Sequence, residues 1–600
     1  DYKIMCRELS DAQQTLLYGA LLYYFRDFLL KGNGKENGIE GLREALRESE
    51  HAKFHRERLR RLRWRERSLQ KLYGQEQGRE FHRMICRLQK GMDRSVNTIL
   101  APLRELGEYE DILRQLNTQQ GKVSVSGCVD SQKLHMIYGL SGDYDVKLIV
   151  TYSDMKAKEL LDDCKLYCKE SYYFPAKDLI FYQADIHGNQ LTKERVAVLR
   201  KLLEGEPITI VTTFSALMAH QLPPSVWKEN VIEIAQGGIA EEAAIARKLV
   251  EMGYEKNYQV ESPGQFSIRG GIVDIFDLTR ENPVRIELWG DEVESIRSFD
   301  IESQRSIENM TQVSIYPATE LILSKKALED GLARMEKDCK KSAAFFREET
   351  KPEEAHRLEQ SVAELKEQVT QFQSFVNLES YIGYFYEETQ SLVDFVAGRK
   401  LCICLDEPAR IEEHANAVEL EFRESMSTRA EKGYILPEQM NVLYGAKEIY
   451  ARLDKNRLLA LSTMEYKGFP VKFQNRYAVN ARNVSSYNNS FPELVKDLNH
   501  YKKNGYRVLL VSASATRAKR LATDLMDEGL NAFYSDNSQR ELQPGEIMTF
   551  YGNVLKGFEY PMLKFVVISE SDIFGKQNRK KKKKKVYEGQ KIRDFSDLKI

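Results

Sequence analysis

From residue 122 onward the chain alternates short β-rich runs with helical patterns, and this rhythm limits its fold more than any other feature. Lys122 to Val125 and Val146 to Thr151 are each followed by a polar turn and a helical pattern. Pro207 to Thr213 is a third run and carries on into Phe214 and Ser215. Strands separated by crossover helices pair in the same direction, so a largely parallel sheet is expected. An amphipathic helix follows between Glu241 and Gly253, with Ala244, Ile245, Leu249 and Val250 on one side. There the rhythm breaks. Gln265 to Phe276, Val284 to Trp289 and Glu292 to Phe299 alternate apolar and polar residues and are joined by Gly-Asp or Asn-Pro turns. That pattern reads as an antiparallel unit set into the parallel one.

Between Glu353 and Val376 the apolar residues Leu358, Val362, Leu365, Val369, Phe372 and Val376 step by four and three. This predicts a long helix packed along a seam, with an independent coiled coil as the less favoured reading. Arg399 to Leu405 resumes the buried-strand pattern and runs into Asp406, Glu407 and Pro408. A further α/β unit begins near Arg457, with strands at Arg507 to Val511 and Lys564 to Ser569 and a helix from Thr516 to Glu528. Arg579 and six consecutive lysines, Lys580 to Lys585, repel one another and read as an extended linker. Another patterned unit starts after them and is cut off, as in a fragment of something longer.

Six hundred residues are too many for one domain, and three to five packed units are expected. With 89 Lys+Arg against 90 Asp+Glu, no global charge draws the chain to nucleic acid or membrane, so such functions must sit in local patches. Residues 1–95 differ: they hold 15 Arg and 6 Lys against 14 acidic residues. Glu57 to Lys71 would form a basic helix, most simply a solvated appendage dispensable for folding of the rest. A helix that binds an acidic partner and a segment foreign to the protein are the other readings. No apolar run approaches the ~18 residues of a membrane span. Eight cysteines are too sparse for a disulfide framework, which suits a reducing cytoplasm. Cys164 and Cys168 lack companions for a zinc site, and Cys402 and Cys404 read as buried thiols.

Two motifs bear on chemistry. After the first strand stands Ser126-Gly127-Cys128-Val129-Asp130-Ser131-Gln132-Lys133-Leu134. Against the phosphate-loop pattern G-x-x-x-x-G-K-[ST], Gly127 and Lys133 fit, but Gln132 replaces the second glycine and Leu134 the hydroxyl residue. Gln132 is expected to carry a conformational cost at that turn, and Leu134 has no oxygen for Mg²⁺. Asp406 and Glu407 resemble the acidic pair that manages metal and water in nucleotide hydrolysis, yet without a phosphate cradle they have nothing to act on. His187, His220 and His414 have no nucleophile partner in sequence. No complete catalytic site and no metal site is apparent.

Residues 261–276, Glu-Ser-Pro-Gly-Gln-Phe-Ser-Ile-Arg-Gly-Gly-Ile-Val-Asp-Ile-Phe, and 283–300, Pro-Val-Arg-Ile-Glu-Leu-Trp-Gly-Asp-Glu-Val-Glu-Ser-Ile-Arg-Ser-Phe-Asp, are far more specific. With Ser303 to Ser306 they closely resemble the module shared by the bacterial excision-repair protein UvrB and the transcription-repair coupling factors. The degenerate phosphate loop favours the coupling factors, as do the segments Gly557 to Pro561, Val566 to Gly575 and Tyr587 to Leu598. The resemblance covers roughly Val96 to Ile600.

It implies an α/β multidomain chain: a degenerate phosphate-loop (RecA-like) parallel-sheet domain over 96–231 and 317–453, split by an antiparallel α+β UvrA-binding module over 232–316. A further α/β domain at 454–576, the linker at 577–585 and the start of an RNA-polymerase-interacting domain at 586–600 would follow. The implied role is a UvrA-binding platform in a factor that couples removal of stalled RNA polymerase to excision repair. Double-stranded DNA contacts, ATP and Mg would belong to motor domains absent from this chain. The family's UvrA contacts fall on Arg269, Arg285 and Trp289. Arg285 and Trp289 are four apart on a strand and so share a face, although an ion-pair cluster on a solvated sheet would look the same. The alternative is a UvrB-like DNA-remodelling ATPase, which would need a working phosphate loop.

Overall fold

The computed structural model describes residues 97–177, 188–372, 378–537 and 540–575. The expectations for residues 1–95, the lysine run and residues 586–600 lie outside them. Four strands come first: β1 (Lys122–Ser126), β2 (Val146–Thr151), β3 (Ser171–Phe174) and β4 (Ile208–Thr213). The inserted module then supplies β5 (Ile232–Ala235), β6 (Glu255–Lys256), β7 (Gln265–Arg269), β8 (Ile272–Ile275), β9 (Val284–Trp289), β10 (Glu292–Phe299), β11 (Ser306–Met310) and β12 (Gln312–Ile315). The chain returns to the first sheet with β13 (Leu401–Asp406), β14 (Leu458–Leu461) and β15 (Asn475–Ala478).

The first sheet has seven strands in the order β15-β1-β14-β13-β2-β4-β3, and every pairing is parallel. Its inner strands β14 and β13 are buried along their whole length, and β2 except at Lys147, because both faces are covered. Leu148, Val150, Ile403 and Leu405 enter one core, whereas Ile149, Cys402, Cys404 and Val125 enter the other. That split is the period-two alternation of a strand buried on two sides. β4 does not run on into Phe214 as the pattern suggested. The Thr213 hydroxyl accepts the Ala216 N–H and starts the helix Phe214–Met218.

In the module, the continuous run Gln265 to Phe276 is two strands. Gly270 and Gly271 adopt φ of +54° and +80° and fold β7 back on β8, a turn that L side chains resist. The sheet order is β11-β10-β9-β8-β7-β6, antiparallel except between β6 and β7. Phe266, Val273, Val284, Ile286 and Val293 face the helix Glu242–Glu251, which contributes Ile245 and Leu249. The opposite face carries charged residues such as Arg269, Asp274, Arg285 and Glu287 together with the exposed Trp289.

Helices Lys325–Glu348 and Pro352–Phe372 form an antiparallel hairpin, tied by the Arg347–Glu359 and Lys366–Glu336 ion pairs. Leu358, Val362, Leu365 and Val369 are buried with Leu332, Met335 and Ala343, so the heptad seam closes within the chain.

A last sheet comprises β16 (Arg482–Asn483), β17 (Arg507–Ser512), β18 (Ala532–Tyr534), β19 (Ile547–Tyr551), β20 (Phe558–Tyr560) and β21 (Phe565–Ser569). Its order is β16-β20-β21-β17-β19-β18. β14 and β15, read from sequence as the opening of this unit, flank β1 in the first sheet instead. Which sheet accepts a short apolar strand depends on a partner hundreds of residues away. The two units share a core: Leu509, Val511, Met548 and Val567 pack in the same cluster as Val123 and Val125. No helix among the described residues is long and apolar enough to cross a membrane.

Candidate functional site

The tertiary structure brings the two weak nucleotide motifs together. Lys133 Nζ donates to Asp406 Oδ1 at 2.7 Å and to Glu407 Oε1 at 2.6 Å. Asp406 Oδ2 accepts from Thr151 at 2.8 Å, and Glu407 Oε1 from the Thr463 N–H at 2.9 Å. Burial alone would lower the Lys133 pKa, but the two carboxylates outweigh it and the net shift is upward. Burial likewise opposes ionisation of Glu407, and Lys133 overcomes it, so that carboxyl sits below its usual range. The lysine and the acidic pair are closed on one another.

The loop around Gly127 is packed against neighbouring backbone. Gly127 has φ of +77°, and a Cβ there would lie 2.0 Å from the Val479 carbonyl oxygen. The Gly127 and Cys128 N–H groups donate to the Thr463 and Ser462 carbonyls at 3.2 and 3.1 Å, so they are not aimed at an empty anion site. Gln132 shows no left-handed strain, contrary to expectation, because it opens the helix Gln132–Leu140. Its Nε2 donates to Tyr560 Oη at 2.6 Å, and its Oε1 accepts the Val129 N–H at 3.0 Å. Tyr560 Oη lies 3.0 Å from His135 Nδ1, and His135 Nε2 lies 2.7 Å from the Ile99 carbonyl. Burial lowers the His135 pKa to about 4 and keeps the ring neutral, so with the proton on Nε2 facing the carbonyl, Nδ1 accepts from Tyr560. Leu134 is fully buried in the shared core. The loop has become a joint with the last α/β unit.

Nearby, Asp163 Oδ2 accepts from Ser131 Oγ at 2.6 Å and Oδ1 from the Leu555 N–H at 2.7 Å. Burial raises its pKa to about 7. Lys556 pairs with Asp130 at 2.7 Å across the same joint. Sequence reading missed Asp163, Tyr560 and Val479, because nothing local marks a residue whose partner is on another unit.

The second site is the polar face of the module sheet. Arg285 and Trp289 lie on it together, opposite Val284, Ile286 and Leu288. Arg285 aims Nε at Asp274 Oδ1 (2.7 Å) and Nη2 at Asp274 Oδ2 (2.8 Å) and the Gln304 side chain (2.9 Å). Its guanidinium lies 4.3 Å from the centre of the Phe299 ring. Arg269 Nη2 stands 3.5 Å from the same Asp274, with its guanidinium over Tyr258. Asp274 is 1% exposed and holds both arginines. Trp289 is 81% exposed, an unusual state for so large an apolar side chain. His220 is stacked on Tyr444 and bonded to Thr389, and His414 lies on the helix Pro408–Glu431. Among the described residues no cluster has the makings of a metal site.

These features define a class: an α/β body with a parallel sheet that carries an inserted, mainly antiparallel module. The family described as the UvrB interaction domain matches residues 232–321. The transcription-repair-coupling factor of Bacillus subtilis is 30% identical over 502 residues, 83% of this chain and 42% of that protein. Those of Staphylococcus epidermidis and Staphylococcus aureus are 27% and 25% identical over 76% and 84% of this chain. The chain is similar to the transcription-repair-coupling factors over most of its length. It spans about two fifths of the length of these curated relatives.

Proposed function

We propose that this chain acts as a docking platform for UvrA, through the module face that carries Arg269, Arg285 and Trp289. The observation that carries the proposal is Trp289, which stands 81% exposed beside two arginines held by one buried carboxylate. Aromatic residues and arginine dominate interface hot spots, and a tryptophan left in water gains most from a partner pocket. In the whole protein the platform would recruit excision repair to RNA polymerase stalled on damaged DNA, in the cytoplasm. The polymerase contact, the duplex contact and an ATP- and Mg-driven motor would lie in regions outside the described residues. A UvrB-like ATPase is the poorer reading, because Lys133 is already spent on Asp406 and Glu407.

Calorimetric titration with purified UvrA tests the platform. Trp289→Ala should lose about 2 kcal/mol of binding, more than tenfold in affinity, with an unchanged circular dichroism spectrum. Undiminished binding by a folded Trp289→Ala variant would remove the proposal.

A further inference from the structure

We infer that Glu292, set between Trp289 and Ile239, is a seat for a basic side chain of the bound protein. The inference rests on the docking role proposed above and adds the chemistry of one contact to it. Across the sheet, Trp289 on β9 is paired with Glu292 on β10, and Glu292 is bridged in turn to Ile239. The Val293 N–H donates to the Gly238 carbonyl at 2.9 Å and the Ala240 N–H to the Asp291 carbonyl at 2.7 Å, which fixes Ile239 in that row. Residues directly opposite across strands project to the same side with Cβ atoms ~5 Å apart. The row is therefore apolar, acidic, apolar.

Both flanking side chains stand in water, Trp289 at 81% and Ile239 at 88% exposure. Nothing in the module covers them, whereas the core beneath is closed by Leu288 and Val293. A lone exposed carboxylate binds a cation weakly in water. Walls of indole and isoleucine change that, since they exclude water from an ion pair and the indole face itself attracts a cation. A lysine or arginine has the matching form, with an apolar stem and a charged head. The rest of the face carries Arg269 and Arg285, both held by Asp274, and the Arg297–Glu287 pair, which together leave one positive charge. Its partner would thus present an acidic group to the arginines and one basic side chain to Glu292, and that alternation fixes register as well as affinity.

The test uses the whole chain and purified UvrA, by calorimetric titration at low and moderate salt. Glu292→Lys should weaken binding at least tenfold, Ile239→Ser several-fold, and Glu292→Gln several-fold with a smaller salt dependence than the parent. A Lys→Glu or Arg→Glu change on UvrA should restore the Glu292→Lys variant. Normal affinity in both Glu292→Lys and Ile239→Ser, with Trp289→Ala impaired, would overturn this inference and leave the docking role standing. Loss in Glu292→Lys with normal affinity in both Glu292→Gln and Ile239→Ser would mark simple repulsion and overturn it as well. Normal affinity in Trp289→Ala too would remove the docking role and this inference together.

Discussion

Lys133 Nζ lies 2.7 Å from Asp406 Oδ1, a contact between residues 273 positions apart. Lysine and carboxylate are both almost inaccessible to water, with 5% and 1% of their side-chain surfaces exposed. Lys133 is thus a structural cation here, and that reassigns what its substitution will do.

Lys133→Ala should unfold the chain more readily, since it strands the buried Asp406. Breaking one side of a buried pair costs about 3 kcal/mol or more. A clear fall in melting temperature is expected, with no ATPase activity to lose in the parent. A turnover in the parent that Lys133→Ala abolishes would contradict the closed loop.

Gln132→Gly supplies the glycine of the phosphate-loop pattern but should not produce nucleotide binding, because the Gly127 and Cys128 N–H groups still donate to the Thr463 and Ser462 carbonyls and Lys133 is still held by Asp406 and Glu407. It removes the hydrogen bond to Tyr560, whose hydroxyl is buried, and places glycine in a helix. Together these should cost about 2 kcal/mol. Thermal denaturation and a fluorescent-nucleotide titration check the two halves.

The joint should respond to pH in two directions. Asp163 has a folded pKa near 7, above its unfolded value, so its stabilising effect is full at acid pH and fades as pH rises from about 4 through 7. His135 has a folded pKa near 4, below its unfolded value, so its contribution is full above about 6.5 and fades as pH falls toward 4. The stability gap between Asp163→Asn and the parent should shift toward the variant between pH 5 and pH 8. The deficit of His135→Gln should shrink between pH 7 and pH 5. Melting curves at four pH values would show both slopes or neither.

Arg285→Ala and Trp289→Ala should differ in kind. The first leaves Asp274 buried with only Arg269 at 3.5 Å, and it should destabilise the module by about 3 kcal/mol as well as weaken docking. The second removes an exposed side chain and should leave the melting temperature unchanged. Equal melting curves for the parent and Arg285→Ala would show that the Asp274 fork adds nothing.

Gly331→Ala should destabilise, although alanine is the better helix former. A Cβ at this helical position would lie 2.2 Å from the Phe385 ring. Overpacking of this kind costs about 1–3 kcal/mol. A stabilised variant would show that Phe385 can move aside.

Local order was legible because it depends on neighbours in sequence. The residues of β2, β9 and β10 were read to their ends, since alternation and turn residues report burial face and strand limits directly. The module was legible for the same reason, its motif being continuous over some forty residues. Gln132 and Leu134 depart from the phosphate-loop pattern by identity alone. Even there the reason was incomplete: Gln132 shows no backbone strain and instead makes a new hydrogen bond.

What the sequence determined by itself is the alternation of strands and helices, the inserted antiparallel module and the departure of Gln132 and Leu134 from the phosphate-loop pattern. Each follows from periodicity or from a residue's own chemistry. The tertiary structure alone decided that β14 and β15 join the first sheet, that Lys133 meets Asp406 and Glu407, and that Tyr560 and Val479 close the loop. It alone showed that the Arg285 fork is spent on Asp274 while Trp289 stands in water. The physical reason is common to all of these. A side chain's partner is chosen by packing between distant segments, and no local pattern records which distant segment will arrive.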